Sequence, residues 1–543
     1  MDSYDIPAWT YVMLERISQS DYAEIALVIL IDAPMEKNGG LTGIIGDNSA
    51  MLYVVFRKLE DLVHRPKLDA FEIRNSTSLL GSVSTMKLNA KQVQASEPIG
   101  DEDARRIKDY EIDVFVKLCR GTLSGRILRF PRSGVWVFCD GNHDVSMGGP
   151  VGLWEVLEGQ PATRSTLQML DGDSNHRIIL HASYSSTDPL SVNRNANRCY
   201  WKTLSFLPRK LKELQKLGDE SFLQGVASRN ERAISPSNRP CPTPGNAVLL
   251  KLLPSFFLRV ARRKRLDLLY VEQWFLMFDF ADDLSRSFSR FKRIMPPRDR
   301  FWADPLVVYE NGHHYVFIEE FLYTVKKGHI SVIVMDGEGD RVRPTKVLDR
   351  PYHLSYPFVF EWQSKYYMVP ESSKNKTVDI YECMQFPEKW ELRKTILKNI
   401  HAVDPTILNY HGKWWLFANV KENAGASDRD ELFLYYSNNP LDGHWHSHPQ
   451  NPIISDVRKS RPAGRLFERG GFLYRPAQDC SRTYGHRIVI NRVLRLDEQE
   501  YEETEVDAIE PNWDRNLKAV HTLSYVNGLT VVDGMMLRSK FLS

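Results

Sequence analysis

The stretch Ala303-Asp304-Pro305-Leu306-Val307-Val308-Tyr309, followed by Asn311-Gly312 and an apolar run from His314 to Ile318, decides the reading of the fold. It combines a polar-proline corner, a strand-like run, a tight-turn signal and a returning strand, which together specify an antiparallel hairpin. The unit recurs. Tyr356-Pro357-Phe358-Val359-Phe360 precedes Lys365 to Val369, and Asp404-Pro405-Thr406-Ile407-Leu408 precedes Gly412-Lys413 and Trp414 to Ala418. Pro462-Ala463-Gly464-Arg465-Leu466-Phe467 precedes Gly470-Gly471 and Phe472 to Arg475, and His521-Thr522-Leu523-Ser524-Tyr525 precedes Asn527-Gly528 and Leu529 to Val532. Five copies at intervals of roughly 50 residues predict an all-β, five-bladed β-propeller of about four strands per blade. The strand Leu268 to Asp279 precedes the first copy and is expected to complete the last blade.

Because the two strands of each copy run antiparallel, the start of the first and the end of the second share one face. That face is expected to collect Asp304, Asp404, Arg461 and His521 from strand starts, and Glu319, Glu320, Glu371, Asn419 and Asp479 from strand ends. Asp304, Glu371 and Asp404 are the candidate catalytic groups there, with Glu320, Tyr356, Arg461, Arg475, Asp479 and His521 as candidate substrate contacts.

Upstream, residues 1–200 read as a separate α/β domain. Ala8–Ile17 has a helical pattern, Glu24–Ile31 is a continuous apolar run suited to a buried parallel strand, and Asp113–Leu118 and Val135–Phe138 are further strand candidates. The alternation predicts a doubly wound sheet. Residues 201–265 read as a helical, Pro-rich linker and 266–543 as the propeller.

Composition narrows the function classes. The 543 residues are 42% hydrophobic and 26% charged with a net charge of +2, so no global field steers nucleic acid. The basic clusters Arg262–Arg265 and Arg290–Arg300 are short and read as solvated faces. Six scattered cysteines lack metal-ligand spacing and fit a reduced, cytoplasmic interior. No N-terminal signal pattern is expected, and no metal site. The most apolar stretch, Ala247–Val260, is interrupted by Lys251 and Pro254 and reads as an inter-domain helix, so no transmembrane span is expected.

The Asp-Pro corners resemble those of five-bladed propeller glycosidases of the arabinanase and fructosidase superfamily. That resemblance implies paired carboxylates for glycoside hydrolysis, with Asp304 as base or nucleophile and Glu371 as acid; Tyr356 stands where a second-blade Asp is expected. Over about 240 residues, Arg300-Phe301-Trp302-Ala303-Asp304-Pro305, Ser355-Tyr356-Pro357, Lys413-Trp414-Trp415, Arg461-Pro462-Ala463-Gly464-Arg465 and Tyr474-Arg475-Pro476-Ala477-Gln478-Asp479 are similar to the N-terminal propeller of plant glucosamine inositolphosphorylceramide transferases. This implies a sugar or glycolipid-headgroup ligand. The stretch from Gly134-Val135-Trp136 to Gly148-Gly149-Pro150, with Trp154, Gly159, Thr166 and Leu180, resembles the formyltransferase-like fold. Counted from Gly134, the positions of the catalytic Asn and His hold Val137 and Cys139, and the later Asp position holds Ser174 beside Asp173. Asn142, His143 and Asp144 are the candidate substitutes in a shifted loop, with 10-formyltetrahydrofolate as the donor an active site would use. The family's opening strand ends near an Asp-Ser pair; here Asp2-Ser3 follows Met1 directly.

The expected function is therefore a formyltransferase-related protein of glycan or sugar-metabolite biosynthesis, with a degenerate formyl-transfer site and a sugar-recognising propeller. Two alternatives stand beside it: a propeller-centred glycosidase or glycosyl-transferring enzyme using Asp304 and Glu371, and a non-catalytic glycan-binding protein.

Overall fold

The computed structural model describes residues 1–541 apart from 33–49, 95–96, 120, 122, 141–142, 145–151, 171–176, 232–242, 282, 285–287 and 336–342. The chain divides into two compact units, Met1–Ala261 with Asn423–Ala426, and Arg262–Glu422 with Ser427–Ser543.

In the second unit the described residues form five antiparallel sheets in chain order, a β-propeller-like arrangement. The first sheet runs Arg300–Glu310, His313–Leu322, Lys327–Met335 and Thr345–Leu348. The second begins with Ser355–Trp362 and Lys365–Ser372, the third with Ala402–Tyr410 and Lys413–Val420. In the fourth, Phe472–Asp479 pairs with Arg461–Pro462, Phe467–Arg469 and Arg487–Leu496. In the fifth, Leu529–Ser539 pairs on one side with Leu523–Val526 and on the other with Tyr270–Phe280, which joins the two ends of the unit along eleven residue pairs from Tyr270↔Ser539 to Phe280↔Leu529.

Every sheet carries the same hairpin. The two-residue turns at Asn311-Gly312, Gln363-Ser364, His411-Gly412, Gly470-Gly471 and Asn527-Gly528 have positive φ at both positions, the twist that suits a two-residue β-hairpin. Glycine or asparagine fills most of these positions because a left-handed φ costs them least.

The first unit is less regular. Leu27–Asp32 runs parallel to Ser84–Asn89, and Phe115–Lys117 parallel to Val135–Asp140. Ala162–Leu170 then pairs antiparallel with both Val135–Asp140 and Arg177–Ser186. The sheet that begins with Phe115–Lys117 is thus mixed: Ala162–Leu170 and Arg177–Ser186 follow too closely in sequence for a crossover, and short connections give antiparallel pairs. The helix Ala8–Ser18 packs Trp9 edge-on against Phe138 and Tyr200. Helix Phe206–Leu217 and the part of Asn246–Leu269 up to Ala261 lie in this unit: Phe206, Leu207 and Leu214 join its core, while Leu249 and Phe256 pack with Leu153 and Val156. Much of the expected linker is therefore packed structure, since its apolar stripe has a core to cover; its Pro-rich part, 232–242, lies outside the described residues. No described helix is long and apolar enough to cross a membrane.

Candidate functional site

Three of the five sheets open on one backbone device. Asp304, Tyr356 and Asp404 each precede a proline and hold φ of +53°, +44° and +51°, and the strand register slips at each: Ala303/Leu306, Ser355/Phe358 and Val403/Thr406. A left-handed non-glycine residue costs on the order of 1–3 kcal/mol and persists only where its surroundings over-determine it. Here the surroundings are a web of buried hydrogen bonds.

Directly before each bulge the strands pair Ala303↔Glu319, Ser355↔Glu371 and Val403↔Asn419; the fourth sheet pairs Arg461↔Gln478. In the fifth, Asp533 donates its N–H to Thr522 O. Each sheet thus presents one buried polar side chain from its returning strand: Glu319, Glu371, Asn419, Gln478 and Asp533.

Two charge clusters result. In one, His521 lies between Asp533, whose Oδ2 is 2.8 Å from its Nδ1, and Asp304, whose Oδ1 is 3.2 Å from its Nε2. Asp304 also accepts from Tyr356 N (3.1 Å) and Thr522 Oγ1 (3.1 Å), while its own N–H donates to Asp533 Oδ2 (2.9 Å). Burial alone would lower the His521 pKa, but the two carboxylates outweigh it and hold the imidazolium well above its usual range. Burial likewise disfavours ionised Asp304, and His521 outweighs it, so that carboxyl sits below its ordinary value.

In the other cluster Arg461 grips Asp404 through Nε (2.6 Å) and Nη2 (3.1 Å), and Gln478 Nε2 donates to the same carboxylate (2.9 Å). Glu371 Oε2 lies 3.7 Å from Arg461 Nη2, and Ser373 donates to its Oε1 (2.8 Å). Burial, then the charge of Asp404, pushes the Glu371 carboxyl up to about 8 against the pull of Arg461. At neutral pH this is a protonated acid beside a charge-paired carboxylate. Glu319 is raised well above its usual value by burial and by the charges of Asp304 and Glu371. His353, whose Nδ1 accepts from Gly328 N (2.9 Å), turns Nε2 toward Glu319 Oε1 at 3.5 Å.

Tyr484 bridges the clusters. The guanidinium carbons of Arg461 and Arg429 each lie 4.9 Å from its ring centre, and its ring is 5.2 Å from that of His521. Trp274 packs on His521 at 4.1 Å. The side chains that reach solvent include Arg429, 39% exposed, Asp428, 34% exposed and 4.0 Å from Arg461 Nη1, and His353, 25% exposed.

Of the sequence-derived contacts, Asp304, Glu371, Asp404, Tyr356, Arg461 and His521 meet here. Glu320 and Asp479 do not, because each is one residue past the inward position and successive strand residues face opposite ways. Glu320 is held by Arg300, Trp302, His329 and Ser331; burial opposes its ionisation, but those hydrogen bonds bring its carboxyl down to about 2. Asp479 binds Ser481 and Arg487. Arg475, three residues before Gln478, forms a bidentate pair with Glu503 at 2.7 Å for both bonds. Sequence reasoning missed Asp533, Gln478, Tyr484, Trp274, His353 and Asp428. Gln478 occupies the register position of Glu371, the seventh residue of the returning strand and a signal present in the repeat, whereas Asp533 is only the fifth in its own. Asp304, His521 and Asp533 also have ligand atoms within 4.8 Å of one another, a spacing that could hold a metal ion.

In the first unit, the backbones of His143 and Asp144 pair antiparallel with those of Asp140 and Cys139. Asn142, Asp173 and Ser174 lie outside the described residues.

Comparison with known proteins singles out the second unit. Residues 293–524 match the family model for glucosamine inositolphosphorylceramide transferase 1, N-terminal. The protein of that name from Oryza sativa subsp. japonica is 37% identical over 210 residues, 38% of this chain and 28% of the relative; that from Arabidopsis thaliana is 36% identical over 209 residues, 38% and 27%. The chain thus spans little more than a quarter of the length of these relatives. Among solved structures, the catalytic domain of a Coprinopsis cinerea GH62 α-L-arabinofuranosidase aligns with a TM-score of 0.33 at 14% identity over 49% of this chain and 98% of that one. A thermostable family-43 glycoside hydrolase aligns with a TM-score of 0.31 at 14% identity, over 40% and 81%.

Proposed function

We propose that the second unit is a five-bladed propeller that recognises a sugar or glycolipid headgroup at the polar centre of its sheets, within glycan or glycolipid biosynthesis. The observation that carries this reading is the convergence of one buried polar side chain from each of five returning strands on Arg461, Asp404, Asp304 and His521. Among these groups Glu371, Asp428, His353 and Tyr484 are the proposed ligand contacts. A protonated Glu371 donates to a ring oxygen or hydroxyl, Asp428 and His353 exchange hydrogen bonds with hydroxyls, and Tyr484 offers an aromatic edge. The match to glucosamine inositolphosphorylceramide transferase supports this ligand class. Glycosyl transfer is not carried over, because the chain spans so little of those relatives.

The glycosidase alternative has one observation in its favour, the Glu371 carboxyl, raised by burial, beside the Arg461-paired Asp404, the pairing a general acid needs. Against it, Asp304 already accepts from Tyr356, Thr522 and His521, which leaves a nucleophile or base few free lone pairs. For the first unit, formyl transfer through Asn142, His143 and Asp144 with 10-formyltetrahydrofolate is supported by the sequence resemblance alone. A cytoplasmic location and the absence of a nucleic-acid partner complete the proposal, supported by the scattered cysteines and near-neutral net charge.

The test is calorimetric titration with glucosamine, inositol phosphate, nucleotide sugars and simple glycans. Binding of at least one, weakened tenfold or more in Glu371→Ala, kept in Glu371→Gln and unchanged in Glu320→Gln, is the expected result. Hydrolysis of a glycan, lost in Glu371→Gln, would instead favour the glycosidase. Release of formate from 10-formyltetrahydrofolate, lost in His143→Ala, would return the activity to the first unit.

A further inference from the structure

The helix Asn246–Leu269 is apolar on two faces, and only one of them is covered. Its inward side packs Leu249 and Phe256 with Leu153, Val156 and Leu157 of the first unit. At about 100° per residue, Leu250, Pro254, Phe257, Leu258 and Ala261 form a stripe on the other side. That stripe is open: Leu250, Phe257 and Leu258 are 65%, 51% and 70% exposed. A helix apolar all round is expected to be buried all round. A second helix of the same unit, Met51–Val63, packs Phe56 edge-on to Phe256, with 5.6 Å between ring centres. It too exposes Met51, Val55, Leu59 and Leu62 at helical spacing. Exposed apolar stripes of this kind mark a surface that meets something other than water.

The cations select the occupant. Lys251 and Arg262 fall along one margin of the Asn246–Leu269 stripe, Lys264 along the other, and Arg265 continues it one turn beyond Ala261. All four are exposed, and among the described residues none has an ion pair. Their neighbours differ: Arg263 meets Asp267 (2.9 Å) and Glu272 (3.1 Å), and Arg259 donates to the carbonyls of Val156 and Leu157. Protein interfaces are depleted in lysine, and their cores in charge generally. An apolar stripe bordered by unpaired Lys and Arg suits a helix lying in the plane of an anionic membrane, with the long basic stems reaching out to the headgroups. The helix is not apolar enough to cross a bilayer, which leaves the surface geometry.

We infer that the outer face of Asn246–Leu269 docks on an anionic phospholipid bilayer, with Leu250, Phe257 and Leu258 among the acyl chains and Lys251, Arg262, Lys264 and Arg265 at the headgroups.

The test sediments the 543-residue protein with vesicles of phosphatidylcholine and phosphatidylserine. These carry no sugar, so the outcome is independent of sugar recognition by the second unit. Binding is expected to be at least about tenfold tighter than to phosphatidylcholine alone, and to fade as salt rises from about 0.1 M to about 0.5 M. Phe257→Ser with Leu258→Ser, and separately Lys264→Glu with Arg265→Glu, should each weaken it at least about tenfold. Leu392→Ser, at an exposed apolar position of the second unit, should leave it unchanged. The indole introduced by Phe257→Trp should be quenched by lipids brominated on their acyl chains. Equal binding by the paired serine variant and Leu392→Ser, or an unquenched indole in vesicle-bound protein, would overturn the inference. So would dimerisation in the absence of vesicles that the paired serine variant abolishes, since a second copy of the chain would then cover the stripe.

Discussion

Asp304 and Asp404 occupy equivalent positions in the first and third sheets, with the same following proline, the same left-handed backbone and the same bulge. Their chemistry nevertheless diverges. Asp304 meets His521, backed by Asp533, and stays ionised below its usual pKa. Asp404 meets Arg461 but shares its surroundings with Glu371, and burial leaves its pKa raised. The backbone device fixes where a carboxylate sits; the residue supplied by the neighbouring sheet decides what it does. Between them the second sheet places Tyr356, whose hydroxyl pairs with Thr406 Oγ1 (2.8 Å) and accepts from Gly464 N (2.9 Å), a neutral version of the same corner.

The comparison breaks most severely at Arg461. Arg461→Met leaves Asp404 and Glu371 buried without their cation, and removing one partner of a buried pair costs about 3–5 kcal/mol. Denaturant midpoints should register that loss, with Asp404→Leu added to Arg461→Met restoring much of it. Recovery in the double variant separates a lost charge pair from lost packing.

His521 tests the other corner through pH. Its folded pKa is raised, so its contribution is complete below the unfolded value of about 6.5 and fades as pH rises through the folded value. His521→Gln should therefore be destabilised by about 2–4 kcal/mol at pH 6, and the gap from the wild type should narrow steadily on the alkaline side. A gap independent of pH between 6 and 10 would show that the imidazole is not charged between its carboxylates.

Glu371 reverses the sign of the substitution. Its folded pKa of about 8 lies above the ordinary 4.5, so its protonated form is the one the fold accepts. Stability linked to it is complete near pH 4 and is lost as pH rises to about 8. Glu371→Gln imitates the protonated acid and should stabilise the protein at pH 8 by about 1–3 kcal/mol, with little change at pH 4, as read from Tm across that range.

These contrasts also mark how far the sequence carries. Hairpin turns such as Asn311-Gly312 and the polar-proline corners were legible because each has a local backbone cause, positive φ or a missing N–H. Which end-of-strand carboxylate turns inward was not, since it depends on register: Glu319 and Glu320 differ by one residue and face opposite sides. Asp533 was hidden differently, inside a strand that runs on past Gly534, where no composition change marks the bend. Parallel pairing in the first unit was read from continuous apolar runs, but such runs look alike whether the next strand returns by a hairpin or a crossover.

The smallest expected effect belongs to the neutral corner. Tyr356→Phe keeps the ring, which is 2% exposed, and removes only the hydroxyl, leaving Gly464 N–H and Thr406 without their partner. One unsatisfied buried donor costs about 1–3 kcal/mol, and the shared hydroxyl places the loss near the lower end because Thr406 Oγ1 retains Asp404 O at 3.2 Å. The loss should be flat from pH 5 to 9, since neither partner titrates there and burial holds the phenol above its usual pKa. A pH-dependent loss would mean that Tyr356 reports the ionisation of Asp304, whose carboxylate accepts the Tyr356 N–H. The three corners would then titrate as one coupled network.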